Sequence, residues 1–236
     1  MPKDAPDFSV GTTDLLPSIV NTMPILRNYP GGSVFYFDNF EGSDITWEIL
    51  KELGADYGFA EIDKTHAYIG AGCAKLYCNE DQIVVINLGR RFQFRPSDTI
   101  GIECSFMVSG IEGVEVELIY EYNISITRYR FSIRFEESCI VVHTSEGDYA
   151  YPYGLNNSLN NMAWSNVKVV LNIKDHMFVR LYWGKDVFDI DHPAIVLPGI
   201  SDEPPHLRLC GHFGLGGDVP RSLWIDKVIL TDDETI

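Results

Sequence analysis

The stretch VEVELIYEY carries Glu115, Glu117 and Glu121, and an alternating reading sends all three to one side while Val114, Val116, Leu118 and Tyr120 take the other. Two carboxyls on one strand face can act as nucleophile and acid in retaining glycoside hydrolysis, which holds them ~5–5.5 Å apart. Arginines alternate in the same manner: Arg130 and Arg134 in YRFSIRF, and Arg180 beside Tyr182 in FVRLYW. A guanidinium grips a carboxylate or sugar hydroxyls with paired hydrogen bonds, and an aromatic ring stacks on the apolar face of a pyranose. The same groups can equally be committed to one another, as cross-strand ion pairs between the glutamates and Arg130, Arg134 and Arg180. Tyr149, Tyr151 and Tyr153 recur at every second position of GDYAYPYG, beside a Gly and a Pro that mark a loop. They either offer rings to a sugar or cover the end of the fold.

Asp226 raises a separate question. In WIDKVIL, period two puts it on one face with Trp224, Val228 and Leu230, while Lys227 on the other face can reach water along its stem. A short carboxylate among large apolar neighbours needs a partner. The candidates are a cation, backbone N–H groups, or an arginine such as Arg221 or Arg208.

Other chemistry finds no motif. The six histidines form no HExxH or HxH, although His206 and His212 flank LRLCG on the same side by parity. There is no nucleophile elbow, phosphate loop or dinucleotide fingerprint. The five cysteines are odd in number, lack a CxxC pair and lie mostly in or beside apolar runs, so they read as reduced, buried thiols.

The elements that must position these residues are mostly strands. VFYFDNF, AKLYC, IVVINLG, IGIECSFMV, VEVELIYEY, YRFSIRF, CIVVHT, NVKVVLNI, MFVRLYW, LRLCGHFG and WIDKVIL alternate with turn signals. TWEILKELG reads as the one helical segment, capped by Gly54. Short turns between successive strands predict that the VEVELIYEY, YRFSIRF, NVKVVLNI and FVRLYW strands share a sheet, joining the three glutamates, Arg130, Arg134, Lys168, Arg180 and Tyr182 in one polar face. Residues 1–33, rich in Pro, read as an extended arm, and 34–236 as a single all-β domain, an antiparallel sandwich of jelly-roll type.

The totals narrow the partners. With 18 Lys plus Arg against 34 Asp plus Glu, the formal charge is −16, a field that repels nucleic acid and anionic membrane surfaces and tolerates neutral sugars and divalent cations. No apolar run is long enough for a spanning helix, and the start lacks a secretory signal, so a cytoplasmic location is expected unless a signal has been trimmed away.

VFYFDNFEGSDITWEI, YIGAGCAKLYC and SLWIDKVILTDDE, in that order, together with the Trp-led hairpin WSNVKVVLNIKDHMFVRLYWGKDVFDI, resemble the jelly-roll carbohydrate-binding modules and the wider concanavalin A-like lectin and glucanase group. The resemblance spans roughly residues 34 to 234. It implies that the first and last strands pair, and that a calcium ion ties Asp226 to Glu41, with backbone oxygens near Gly70 and Gly72 completing the shell and Asp38 or Asn39 available to contribute. Calcium takes six to eight oxygens at ~2.3–2.6 Å, so carbonyls and waters must supply the remainder. Cys73-Ala74 stands where the group more often has Ser-Leu. The glutamate strand resembles the catalytic strand of laminarinase-like hydrolases, yet it lacks their Asp between two Glu and has Ile119 at a position that is polar there. The expectation is therefore a non-catalytic carbohydrate-binding domain with a structural calcium; the alternative is a glycoside hydrolase, lyase or accessory subunit using the Glu/Arg-bearing concave sheet. The arm offers a route to a homo-oligomer.

Overall fold

The computed structural model describes residues 33–79, 82–93, 97–110, 113–152, 159, 162–199, 203–215 and 221–234. Tyr153, and all of the proposed arm except Ser33, lie outside these residues. The first strands are β1 (Ser33–Asp38), β2 (Glu48–Leu53), β3 (Gly58–Asp63), β4 (Cys73–Cys78), β5 (Val84–Arg91) and β6 (Thr99–Ser109). Then come β7 (Val114–Ile124), β8 (Thr127–Phe135), β9 (Cys139–Thr144), β10 (Gly147–Pro152) and β11 (Ser165–Asn172). The chain closes with β12 (Met177–Trp183), β13 (Asp186–Pro193), β14 (Ile195–Pro198), β15 (His206–Phe213) and β16 (Arg221–Asp232). All pairings are antiparallel and form two layers. The first sheet runs β13-β12-β11-β6-β16-β4-β3, with β1 also on β16; the second runs β10-β9-β8-β7-β15-β5-β2, with β14 also on β8.

The long central strands turn an apolar set inward. Val114, Val116, Leu118 and Tyr120 of β7 meet Phe131, Ile133 and Phe135 of β8 and the inward residues of β6, β11 and β16 in one core. Burying such side chains contributes about 1.5–3 kcal/mol each before conformational entropy is counted. The fold is an antiparallel jelly-roll sandwich, as expected, and its first and last described strands do pair: Asp38 faces Val228 and Ser33 faces Asp232.

Four local expectations are corrected. TWEILKELG is not a helix: residues 48–53 form β2, an edge strand on β5 with Glu48 facing Gly89 and Lys51 facing Ile86. Glu, Leu and Lys are good helix formers, but intrinsic propensity is a small free energy per residue, and the open ladder of β5 outweighs it. Gly54 closes the following turn at φ 63°, where a Cβ would stand 2.6 Å from the Ile83 carbonyl oxygen. GDYAYPYG is likewise not all loop, since β10 runs through Gly147–Pro152. The alternation in WIDKVIL breaks at a β-bulge between Asp226 and Ile229, with Lys227 at φ 51°. Ile225, Val228 and Leu230 therefore all reach the core, whereas Trp224 packs with Cys73 and Met107 in a separate cluster. Lys227 does not reach water; it is 0% exposed and its ammonium meets Glu103 at 2.7 Å. Finally, β7 and β8 belong to the second sheet while β11 and β12 belong to the first. Period-two alternation marks an inward face but carries no label for which layer it lines.

Candidate functional site

The outer face of the second sheet gathers the chemistry. β7 contributes Glu115, Glu117 and Glu121; β8 contributes Arg130, Ser132 and Arg134; β15, on the other flank of β7, contributes His206, Arg208, Cys210 and His212. In register, Glu121 faces both Arg130 and His206, and Glu117 faces Arg134 and Cys210. Beyond β15, Asn87 of β5 faces Cys210 and Gly89 faces Arg208.

Charge on this face is divided into two groups. Glu121 binds Arg130 at 2.6 Å and Arg208 at 3.3 Å, and Arg208 also reaches Glu52 at 3.2 Å. Arg134 turns to Glu136 at 2.9 Å and Glu115 at 3.5 Å. Glu117 has no arginine partner among the described residues: it accepts from the Ser132 hydroxyl at 2.5 Å and lies 2.9 Å from Nε2 of His212. Burial works against its ionised form, but the hydrogen bonds from His212 and Ser132 and the nearby His143 outweigh it, so its pKa is lowered. Three buried polar atoms on this face lack a hydrogen-bond partner among the described residues: Asn87 Oδ1, Arg208 Nε and His206 Nε2. His206 fits because Gly89, its diagonal neighbour on β5, has no side chain; a Cβ there would stand 2.7 Å from Nε2.

Arg180 and Tyr182 are separated from this group, since β12 lies in the first sheet, where Arg180 pairs with Asp189 at 3.0 Å. Lys168 goes with them and pairs with Glu234 at 2.7 Å. Arg180 also helps line a concavity of about 370 Å³ with Asn172, Asp175, Phe178, Asp189 and Asp191, remote from the glutamate strand in topology. Tyr149 and Tyr151 are half-buried at the sheet edge. Tyr149 stacks on His192 of β13 at 3.7 Å, and Tyr151 meets Phe188 of β13 edge-on at 6.2 Å, so the pair bridges the two layers. The residues missed in the sequence are Ser132, Asn87, Arg208 and Cys210. Only the shared parity of His206 and His212 pointed to β15, and nothing in the sequence pointed to its position beside β7.

Asp226 finds its partners in the backbone. Its Oδ2 accepts the amides of Tyr68 and Ile69 at 2.8 and 2.9 Å, while Oδ1 has no hydrogen-bond partner among the described residues. Burial raises its pKa, amide hydrogen bonds oppose the rise, and the Glu41 carboxylate adds to it. Glu41 in turn accepts the Ala71 amide at 2.8 Å and fills the space a side chain at Gly70 would take, 1.6 Å from a Cβ there. Two acids joined to one loop, one of them fully buried with an unpartnered oxygen, fit the donor set of a hard divalent cation. Lys64 already binds the carbonyls of Glu41 and Gly42, at 3.1 and 2.8 Å. Asp38 is committed elsewhere, to Tyr36, Phe40 and Trp47. The five cysteines are free thiols; burial, with added push from neighbouring acids, raises Cys73 and Cys104 to about 12 and Cys210 well above its ordinary value.

No family model matches this sequence, and no curated protein does either. Solved structures do match its shape. The endo-β-1,4-glucuronan lyase of the fungus Trichoderma reesei superposes with a TM-score of 0.56 at 10% identity, over 86% of this chain and 98% of that one. The likeness shows the fold, an antiparallel jelly-roll sandwich. The laminarinase catalytic domain of Thermotoga petrophila matches with a TM-score of 0.52 at 11% identity, over 86% of this chain and 99% of that one. The cellulose-induced protein Cip1 matches with a TM-score of 0.52 at 14% identity, over 83% and 96%.

Proposed function

We propose that the outer face of the second sheet binds a carbohydrate without cleaving it. The observation that carries this reading is the set of unpartnered buried groups, Asn87 Oδ1, Arg208 Nε and His206 Nε2, standing among paired arginines and glutamates. A buried polar atom left unmade costs about 1–3 kcal/mol, and a ligand dense in hydroxyls supplies donors and acceptors together. The names of the three similar structures, a glucuronan lyase, a laminarinase and a cellulose-induced protein, support the same substrate class. The surroundings of Glu117 favour its ionised form, so it does not suit the role of the acid in a retaining pair, which must hold a proton. A second reading, a glycoside-processing enzyme such as a lyase, is favoured by the Glu117–His212 pair, because a carboxylate that orients an imidazole suits it to act as a base.

A glycan array tests the pair of readings. Binding lost in Arg208→Ala, with no product formed by the unaltered protein, supports the binding module. Product formation abolished by Glu117→Gln supports the enzyme, and a blank array with no turnover removes both.

Calcium belongs to the same proposal. Held by Asp226 and Glu41, with carbonyls of the Gly70 loop, it would neutralise the acids and tie the last strand to residues 65–72. Saturation at one hundred times Kd adds about 2.7 kcal/mol to stability, so calcium should raise the melting temperature and EDTA lower it. The sign with pH is fixed by the raised pKa: without the ion, ionised Asp226 costs stability, and this cost sets in as pH rises through its ordinary value of 3.8. Asp226→Asn is therefore expected to raise the melting temperature in EDTA at neutral pH and to abolish the calcium response. Identical melting of the unaltered protein in calcium and in EDTA would remove the calcium reading.

A further inference from the structure

We propose that Glu117, Cys210 and His212 form a binding site for zinc on the outer face of the second sheet. β15 supplies Cys210 and His212 two residues apart on the same side, and β7 supplies Glu117 directly across from Cys210. A sulfur, an imidazole nitrogen and a carboxylate oxygen from these side chains all lie within 4.8 Å of one another. Donors around a tetrahedral zinc ion stand about 3.3–3.7 Å apart, so small side-chain rotations bring the three into range. The 2.9 Å contact between Glu117 and His212 opens slightly as the ion enters.

The donor set is a zinc set. Thiolate, imidazole and carboxylate are all common ligands of this ion, and three protein ligands leave a fourth position for water. One thiolate and one carboxylate also balance the two positive charges. On binding, the Cys210 S–H bond breaks, its proton passes to solvent, and a zinc–sulfur bond replaces it. Arg134, opposite Glu117 in register, does not compete for it, because it turns to Glu115 and Glu136.

Two neighbours serve the site from outside. Ser132 holds one oxygen of Glu117, which fixes the carboxylate and leaves the other oxygen for the ion. Asn87, 1% exposed and facing Cys210 from β5, has an Oδ1 with no hydrogen-bond partner among the described residues. A zinc-bound water is a donor that Oδ1 can accept. The proposal does not rest on the carbohydrate reading, since a protein that binds no sugar can still hold the ion here.

The test uses the whole chain, stripped with chelator and then titrated with cobalt(II), a coloured substitute for zinc. A thiolate-to-cobalt charge-transfer band should saturate at one equivalent, and zinc, but not calcium, should abolish it. Cys210→Ser should lose the band, Cys139→Ser should keep it, and His212→Gln should weaken binding by about 10-fold to 100-fold. If Cys210→Ser does not fold, His212→Gln, at a half-buried position, carries the test. Absence of the band from the unaltered protein overturns the proposal, and so does a band that survives both Cys210→Ser and His212→Gln at undiminished affinity.

Discussion

Asp63 shows how a single acid can hold an outer cluster together. It accepts hydrogen bonds from the indole of Trp224 at 2.7 Å and from the Thr65 amide and hydroxyl at 2.7 and 2.6 Å, and it meets His66 at 2.8 Å. Burial acts against its charge, but the bonds from Thr65, Trp224 and His66 prevail and hold the carboxyl well below the usual range. Its contribution to stability is thus present above its ordinary pKa of 3.8 and is lost as pH falls further. Asp63→Ala, which leaves a buried indole N–H without an acceptor, is expected to cost about 1–3 kcal/mol. Urea unfolding at pH 7 and at pH 3 checks this: the difference between variant and unaltered protein should shrink at the lower pH, and an equal loss at both would refute the charge argument. Asp63 drew no notice in the sequence because its partner Trp224 lies 161 residues away.

At the scale of elements, the bulge in β16 is the feature with energetic consequence. It turns Lys227 out of the alternation and buries it against Glu103, both side chains nearly inaccessible. A buried ion pair is weakly stabilising when whole and strongly destabilising when halved. Lys227→Met is therefore expected to cost about 3–5 kcal/mol, and Lys227→Met combined with Glu103→Leu to recover most of it. Chemical denaturation of both single variants and the double variant closes the cycle; additive losses would show that the pair is uncoupled. The strands with a long apolar set, such as β6, β7 and β11, were legible from alternation because their inner faces admit little else. The bulge was not, since it is a backbone device with no residue signature here: Lys rather than Gly sits at φ 51°. Nor was β2, whose residues are mostly exposed and whose strand form depends on the neighbouring β5.

For the whole molecule, a net charge of −16 means that self-repulsion opposes compaction. Salt screens this over a distance of about 10 Å at 0.1 M. The melting temperature is expected to rise by a few degrees between about 0.01 and 0.5 M sodium chloride, and scanning fluorimetry would read it. A fall would mean that the surface ion pairs outweigh the repulsion. The sandwich could be read in advance from strand spacing, and the pairing of its first and last described strands from the resemblance to jelly-roll carbohydrate-binding modules. The assignment of strands to layers could not, and it decides which side chains meet: it divides Arg180 and Tyr182 from the glutamates and joins Glu117 to residues of β15 that lie about ninety positions later. The last two described strands, β15 and β16, lie inside their sheets, the first between β7 and β5, the second between β6 on one side and β4 with β1 on the other. While a ribosome is still translating the chain, β1 has no partner at all, and β4, β5, β6 and β7 each show a bare edge of amides and carbonyls. The second layer cannot close before β15 is made, nor the first before β16, so a message cut short ahead of Arg221 leaves the first layer open-edged and adhesive rather than giving a smaller version of the protein.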